Sequence, residues 1–205
     1  MLTYTLNGIL DRRSFFMARK KKKDSKEVFG RIITIIFILL LAAVVWFLVN
    51  LFKEKEISAS NLSGQWKLAG SPVVYYTFTG EDDDKVLNDI DAALEAKKEE
   101  NAKKLAKNKD LKLEDSVVLG EGTMTSYTKT TGTNITSDVK EYDYVIKVSE
   151  IDNAGTLQKV YKIEFTNTKD DKDKMEWKIN AVSRAQMTVT MNRSEITSLT
   201  RVDVF

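Results

Sequence analysis

Two stretches, LQKVYKIEFTN at residues 157–167 and MEWKIN at residues 175–180, decide the predicted fold of this chain. Apolar and polar side chains alternate in both, and a period of two places them on opposite faces of a β-strand. The residues on the apolar faces are Tyr161, Ile163, Phe165, Met175, Trp177 and Ile179. The segment between them, NTKDDKDK, has the composition of a hairpin turn. Together these stretches predict two antiparallel strands with one buried and one solvated face.

The same texture of short alternating segments, separated by Gly, Asn or Asp, continues through the chain from residue 61. It predicts strands at residues 64–69, 73–79, 116–129, 140–150, 157–167, 175–180, 185–191 and 195–204. The sequence DNAG at residues 152–155 predicts a further hairpin turn, and GEG at residues 120–122 predicts a bulge or bend inside the third strand. The chain from residue 61 onward is therefore expected to fold as a mainly-β domain.

A charged helix is predicted between the second and third strands, as an insertion at residues 84–109. Aspartates at positions 82–84 suit a helix N-terminus, where free N–H groups and the helix dipole favour negative charge. Leu87, Ile90 and Leu94 form a narrow apolar stripe. The first half of the helix is therefore expected to dock on the sheet, and the second half to form a solvated arm.

Residues 32–52 are 21 uncharged, mostly aliphatic amino acids, which predict a transmembrane helix. At 1.5 Å per residue they span about 30 Å, the thickness of the hydrocarbon core of a bilayer. The alternatives are a buried core helix and a cleaved secretory signal, for which Ser58-Ala59-Ser60 supplies small residues. The apolar stretch is longer than the core of a typical signal peptide, which favours an uncleaved signal anchor.

Charge is distributed unevenly about this helix. Residues 1–31 hold nine basic and three acidic residues, a net charge of +6, whereas residues 53–205 carry a net charge of −4. Basic residues are retained in the cytoplasm, so residues 1–31 are predicted to be a cytoplasmic segment. The linker at residues 53–60 and the β domain at residues 61–205 would then be extracytoplasmic. No nucleic-acid partner is predicted, because a position beside a membrane span already explains the basic run.

The run MARKKKK at residues 17–23 has the form of a natural start for a signal-anchor protein. Residues 1–16 would in that case be upstream sequence that is not translated. Met1 and Met17 both stand as start positions.

Gly64-Gln65-Trp66 opens the first predicted strand, and Arg201 lies near the end of the last. This pairing resembles the lipocalin-like (calycin) β-barrels, whose first strand begins Gly-x-Trp and whose late Arg or Lys packs across the tryptophan. The resemblance implies a closed, eight-stranded antiparallel barrel in which Trp66 is a structural plug covered by Arg201.

The chain departs from that family in two respects. Barrels of the family carry a single-turn cap near their start and a helix near their end. The present sequence predicts a long helix between strands two and three, and no helix after strand eight. An α+β fold of the cystatin-like or NTF2-like type, with a helix across a curved sheet, is the alternative.

The chain contains no histidine and no cysteine, which excludes imidazole and thiol chemistry, disulfides and Cys or His metal sites. Carboxylates cluster at residues 81–84 and 170–173, but neither cluster has the spacing of a calcium-binding loop. They suit a helix cap and a hairpin tip. We therefore predict no catalytic residue, metal or cofactor, and we expect a protein that is not an enzyme.

Large side chains concentrate on one predicted face of the β domain. They either line a cavity for a small amphipathic ligand or fill the core, and they are Tyr76, Phe78, Tyr144, Tyr161, Phe165, Trp177 and Met187. An outer domain without cysteine points to a bacterial cell envelope.

The function expected from these features is a membrane-anchored, non-enzymatic binding or accessory module, whose partners are the bilayer and another envelope protein or component. Two alternatives are a carrier of a small amphipathic ligand and an envelope hydrolase that depends on carboxylates.

Overall fold

The computed structural model describes residues 25–70, 72–130, 136–191 and 196–202. The chain divides into an N-terminal unit that ends at Leu48 and a second unit that begins at Val49. The helices are α1 (Ser25–Phe52), α2 (Ala59–Leu62), α3 (Asp84–Asn88) and α4 (Ile90–Lys107). The strands are β1 (Gly64–Leu68), β2 (Val73–Asp82), β3 (Ser116–Lys129), β4 (Thr136–Asn153), β5 (Thr156–Asn167), β6 (Lys174–Val182), β7 (Gln186–Met191) and β8 (Ile196–Arg201).

In its described residues, the N-terminal unit consists of α1 as far as Leu48. Phe29–Phe52 is long and apolar enough to cross a membrane, with a mean hydropathy of 3.2 in its most apolar window, although a signal sequence meets the same test. None of that window is buried against the rest of the chain. The basic run at residues 19–23 and the alternative start at Met17 lie outside the described residues.

The eight strands form a closed antiparallel barrel in which each strand pairs with the next. β1 and β8 close it through the pairs Trp66↔Arg201 and Lys67↔Thr200. The predicted mainly-β barrel is therefore confirmed, in place of the alternative of a helix lying across an open sheet. β2 runs three residues further than the alternation predicts, to Asp82, and stays paired with β3 there. β4 extends beyond its predicted bounds at both ends, where its residues are exposed on both faces.

Two paired glycines let other atoms approach β2 and β3 closely where the strands face each other. Gly80 pairs with Gly122, and a Cβ on Gly122 would lie 2.0 Å from the carbonyl oxygen of Thr79. A Cβ on Gly80 would lie 2.3 Å from the hydroxyl of Tyr144. The pairing of β3 with β4 also shifts register between Val118 and Gly120, so the predicted irregularity around GEG is confirmed.

One end of the barrel, here called the sealed end, is where β1 begins and β2 ends. It is covered by α2, a single turn that the sequence does not predict. Residues 53–60 are therefore not simply a polar linker, because Ile57, Ser58 and Ala59 are buried. The hydroxyl of Ser58 accepts the N–H of Asn61 and caps the turn. Leu62, at the end of α2, joins the core.

The inserted helix also packs at the sealed end, but it is broken in two. Asp89 leaves the helical conformation, and its carboxylate accepts the N–H of Ala92 to cap α4. Ile90 and Leu94 then enter the core, as predicted for the first half of the insertion. Residues 102–112 are exposed, as predicted for the second half. The helix ends at Lys107, inside the insertion predicted at residues 84–109.

Candidate functional site

The barrel interior is the site that the sequence nominates, and the structure brings its large side chains together. Trp177 and Phe165 have ring centroids 4.8 Å apart, and Phe78 and Tyr144 have centroids 5.5 Å apart. With Met187, these residues are all at most 1% exposed. Tilted and edge-on contacts at such distances are typical of a packed aromatic core. The interior at this level is occupied by the protein's own rings.

Two of the nominated residues lie near the ends of the barrel and are only partly buried. Tyr76 presents its ring edge-on to Trp177, with centroids 5.0 Å apart. Tyr161 lines a hollow of about 370 Å³ at the sealed end, together with residues 54–57 of the entering chain. Burial raises the pKa of both tyrosine hydroxyls.

Trp66 and Arg201 meet at the sealed end. Trp66 is completely buried, and its indole Nε1 donates a hydrogen bond of 2.7 Å to the carbonyl oxygen of Leu62. The guanidinium carbon of Arg201 lies 5.0 Å from the centroid of the indole, within the range of a cation–π contact. Arg201 also donates to the carbonyl oxygen of Ser63, which follows α2. Trp66 and Arg201 thus contact each other, and each also forms a hydrogen bond to the end of α2 or the residue that follows it.

Tyr142 belongs to the interior but was not nominated from the sequence. It is 3% exposed, and its hydroxyl donates a hydrogen bond of 3.3 Å to Asp173 in the turn between β5 and β6. The sequence alternation could have identified it, because Tyr142 precedes Tyr144 by two positions and therefore shares its face of β4. Its hydroxyl couples the barrel wall to the end opposite α2.

Tyr144 differs from Tyr142 because its hydroxyl lacks a partner. Among the described residues, it is the buried side-chain oxygen or nitrogen that makes no hydrogen bond. Burial, and to a smaller extent the nearby carboxylate of Asp82, together raise the pKa of Tyr144 to about 12. The hydroxyl sits against Gly80, where a larger residue would not fit.

The carboxylate clusters serve local structure. The carboxylate of Asp82 accepts the N–H of Ser60 in α2, and that of Asp83 accepts the N–H of Lys85. In the other cluster, Asp173 accepts hydrogen bonds from Asn167 and Tyr142. Within the described parts of the chain, no group of three or more acidic residues is arranged to hold a metal ion.

The outer face of β1, β2 and β3 carries an aromatic pair that the sequence analysis missed. Tyr75 and Tyr127 stack with centroids 5.1 Å apart and planes inclined by 11°. Gln65 donates a hydrogen bond of 2.9 Å to the hydroxyl of Tyr127. Thr77 and Thr125 pair on the same face, one step further along the strands. We call these five residues the outer tyrosine face.

No protein-family model, curated protein or solved structure matches the chain. The geometry of the barrel and its surface therefore carries the functional argument.

Replacing Trp66 by Ala is expected to lower the free energy of unfolding by about 3–5 kcal/mol, because the indole is fully buried against α2 and Arg201. Guanidinium chloride titration of the full chain in nonionic detergent, followed by far-ultraviolet circular dichroism, measures the change. Leu157→Ala is the matched control, since Leu157 is 63% exposed and its truncation should cost less than about 0.5 kcal/mol. Equal losses in the two variants would contradict a structural role for Trp66.

Replacing Tyr144 by Phe is expected to leave the free energy of unfolding at pH 7 unchanged or slightly raised, because an unpartnered hydroxyl is removed. Tyr142→Phe should instead lower it by about 1 kcal/mol, since its hydrogen bond to Asp173 is lost. The same denaturant titration compares the two variants. A larger loss for Tyr144→Phe would show that its hydroxyl is satisfied in solution.

The parent chain and Tyr144→Phe should also differ in the stability that they lose at alkaline pH. The folded-state pKa of about 12 lies above the value of about 10 for an unfolded tyrosine. The stability that neutral Tyr144 contributes is therefore complete below about pH 10 and is lost as pH rises through the folded pKa. Tyr144→Phe should lose less stability over that window than the parent chain.

Proposed function

We propose that the protein is a membrane-anchored, non-enzymatic binding or accessory module, displayed outside the cytoplasm of a bacterial cell. The observation that carries the proposal is a closed barrel whose interior aromatic side chains are buried against one another, on a chain that also holds an unburied apolar helix. A barrel packed in this way is suited to recognition through its outer surface.

Lipid is the environment that α1 fits. Leu39, Leu40 and Trp46 are each at least 60% exposed within their unit, and their neighbours along the helix are similar. Apolar surface costs roughly 25 cal/mol per Å² in water, so a helix of this length would be strongly unfavourable there. A bilayer removes that cost, and the helix satisfies its own backbone hydrogen bonds. The basic residues that precede α1 favour a cytoplasmic N-terminus.

The likeness to lipocalin-like barrels belongs to this proposal. Its support is the Gly64-Gln65-Trp66 opening, the contact of Arg201 with Trp66 and the single turn α2 immediately ahead of β1. Where barrels of that kind hold a ligand, this chain places Phe78, Phe165 and Trp177 in mutual contact. That packing favours a binding module over a carrier of small molecules.

The outer tyrosine face is the surface we assign to the partner. Tyrosine supplies a large contact area with little conformational entropy to lose, and it is enriched at the energetic centres of protein interfaces. Tyr75 and Tyr127 are already held by their stack and by Gln65. A polypeptide partner in the same envelope is the expected occupant.

The absence of cysteine allows location to be tested by single substitutions. Lys172→Cys, in the turn between β5 and β6, should react with a membrane-impermeant maleimide in intact cells, whereas Ser25→Cys should react only after lysis. Both variants should remain in the membrane fraction after alkaline carbonate extraction. Release by carbonate would contradict anchoring, and labelling of Ser25→Cys alone in intact cells would reverse the direction.

A photoreactive amino acid placed at Thr77, on the outer tyrosine face, should form a specific cross-link to a membrane or envelope protein in living cells. The same amino acid at Thr188 is the control, because Thr188 is a similarly half-buried residue on the distant strand β7. The Thr77 cross-link should disappear when Tyr75 and Tyr127 are both changed to Ser. A cross-link that forms equally from Thr188, or that survives the double change, would contradict the assigned surface.

A further inference from the structure

We infer that residues 102–112, here called the basic tip, lie on the membrane surface and contact anionic lipid headgroups. The tip reads AKKLAKNKDLK, with five lysines and one aspartate, a net charge of +4. Leu105 and Leu111 are 38% and 41% exposed among these lysines. Basic segments that also expose apolar side chains are typical of chains that bind at the bilayer interface. The inference rests on the proposed membrane insertion of α1, but not on its direction.

The tip has a fixed base. Asn101 is buried, and its side-chain amide donates to the carbonyl oxygen of Glu114 at 2.9 Å and to the carboxylate of Asp115 at 2.7 Å. Lys98 forms an ion pair of 2.5 Å with Glu150 of β4. These contacts hold the middle of α4 against the strands at the sealed end. The residues beyond Asn101 project from this base into solvent.

The lysines of the tip are largely available to a ligand. Lys103 and Lys104 pair with glutamates one turn earlier on α4, at exposed positions where such pairs contribute little. Within the described parts of the chain, Lys107, Lys109 and Lys112 form no ion pair of the kind seen elsewhere on the barrel. Charge that the fold does not neutralise is free to attract anions.

The tip belongs to the end of the barrel that the chain enters from the membrane helix. Residues 53–58, six residues that can span at most about 20 Å, separate α1 from α2. Lys159, which pairs with Asp91 at the start of α4, lines the same hollow as residues 54–57. A connection this short limits how far the sealed end, where α4 begins, can lie from an inserted α1.

Anionic headgroups are the occupant that this combination fits. Lysine attraction to an anionic surface acts within roughly a Debye length, about 8 Å at physiological salt, so it requires the proximity that the anchor provides. The two leucines can enter the interface while the lysines remain at the headgroups. A neutral membrane would offer the leucines a site but would leave the charge without a partner.

The test uses the full chain with the single change Ala106→Cys, labelled with an environment-sensitive fluorophore. The chain is reconstituted into vesicles that contain a headgroup-located quencher, in phosphatidylcholine alone or with about half phosphatidylglycerol. Quenching at position 106 should be at least about twofold stronger in the anionic vesicles, and the difference should vanish near 0.5 M salt.

Two controls keep the outcome specific. Changing Lys107, Lys109 and Lys112 to Gln should abolish the dependence on anionic lipid, and a label at Lys172→Cys, at the end opposite the sealed end, should show none. Equal quenching at position 106 in both lipids, or an unchanged difference after the lysine substitutions, would overturn the inference. A chain that fails to float with the vesicles would overturn the anchor as well, so the two failures are distinguishable.

Discussion

Closure of the barrel depends on a narrow seam. β1 has five residues, and among the described residues it pairs with β8 at Trp66↔Arg201 and Lys67↔Thr200. So short a ladder supplies few backbone hydrogen bonds, and side-chain contacts therefore help to hold β1 against β8. Arg201 does so by lying over Trp66 and donating to the carbonyl of Ser63, while the N–H of Val202 donates to the carbonyl of Gln65. Barrel, helical turn and last strand therefore meet at one indole ring.

The interior follows from the same closure. A closed barrel of eight strands is just wide enough to be filled by side chains. Here aromatic rings are buried together with aliphatic side chains such as Leu119 and Ile146, and Gly80 and Gly122 let two backbones approach closely. Because these rings are buried against one another, the proposed recognition is assigned to the outer surface, to the tyrosine pair and to the charges of α4.

Much of this could be predicted from alternation alone, since burial on one face imposes a period of two on the sequence. The third strand has the predicted bounds, and the buried rings of β2, β4, β5 and β6 fall on the predicted face. Features set by tertiary contact could not be predicted. The turn at α2 is too short for any periodicity, and the stack of Tyr75 on Tyr127 depends on a register across a long insertion.

The insertion between β2 and β3 contains residues that stabilise the barrel and residues that do not. A short hairpin could join β2 and β3, and a longer loop costs only slightly more closure entropy. Ile90 and Leu94 offset this cost by covering the core, and Asn101 fixes the return to β3. Residues 102–112 are exposed beyond that point and add nothing to the core. Packing therefore does not account for their lysines, which the proposed contact with anionic headgroups would explain.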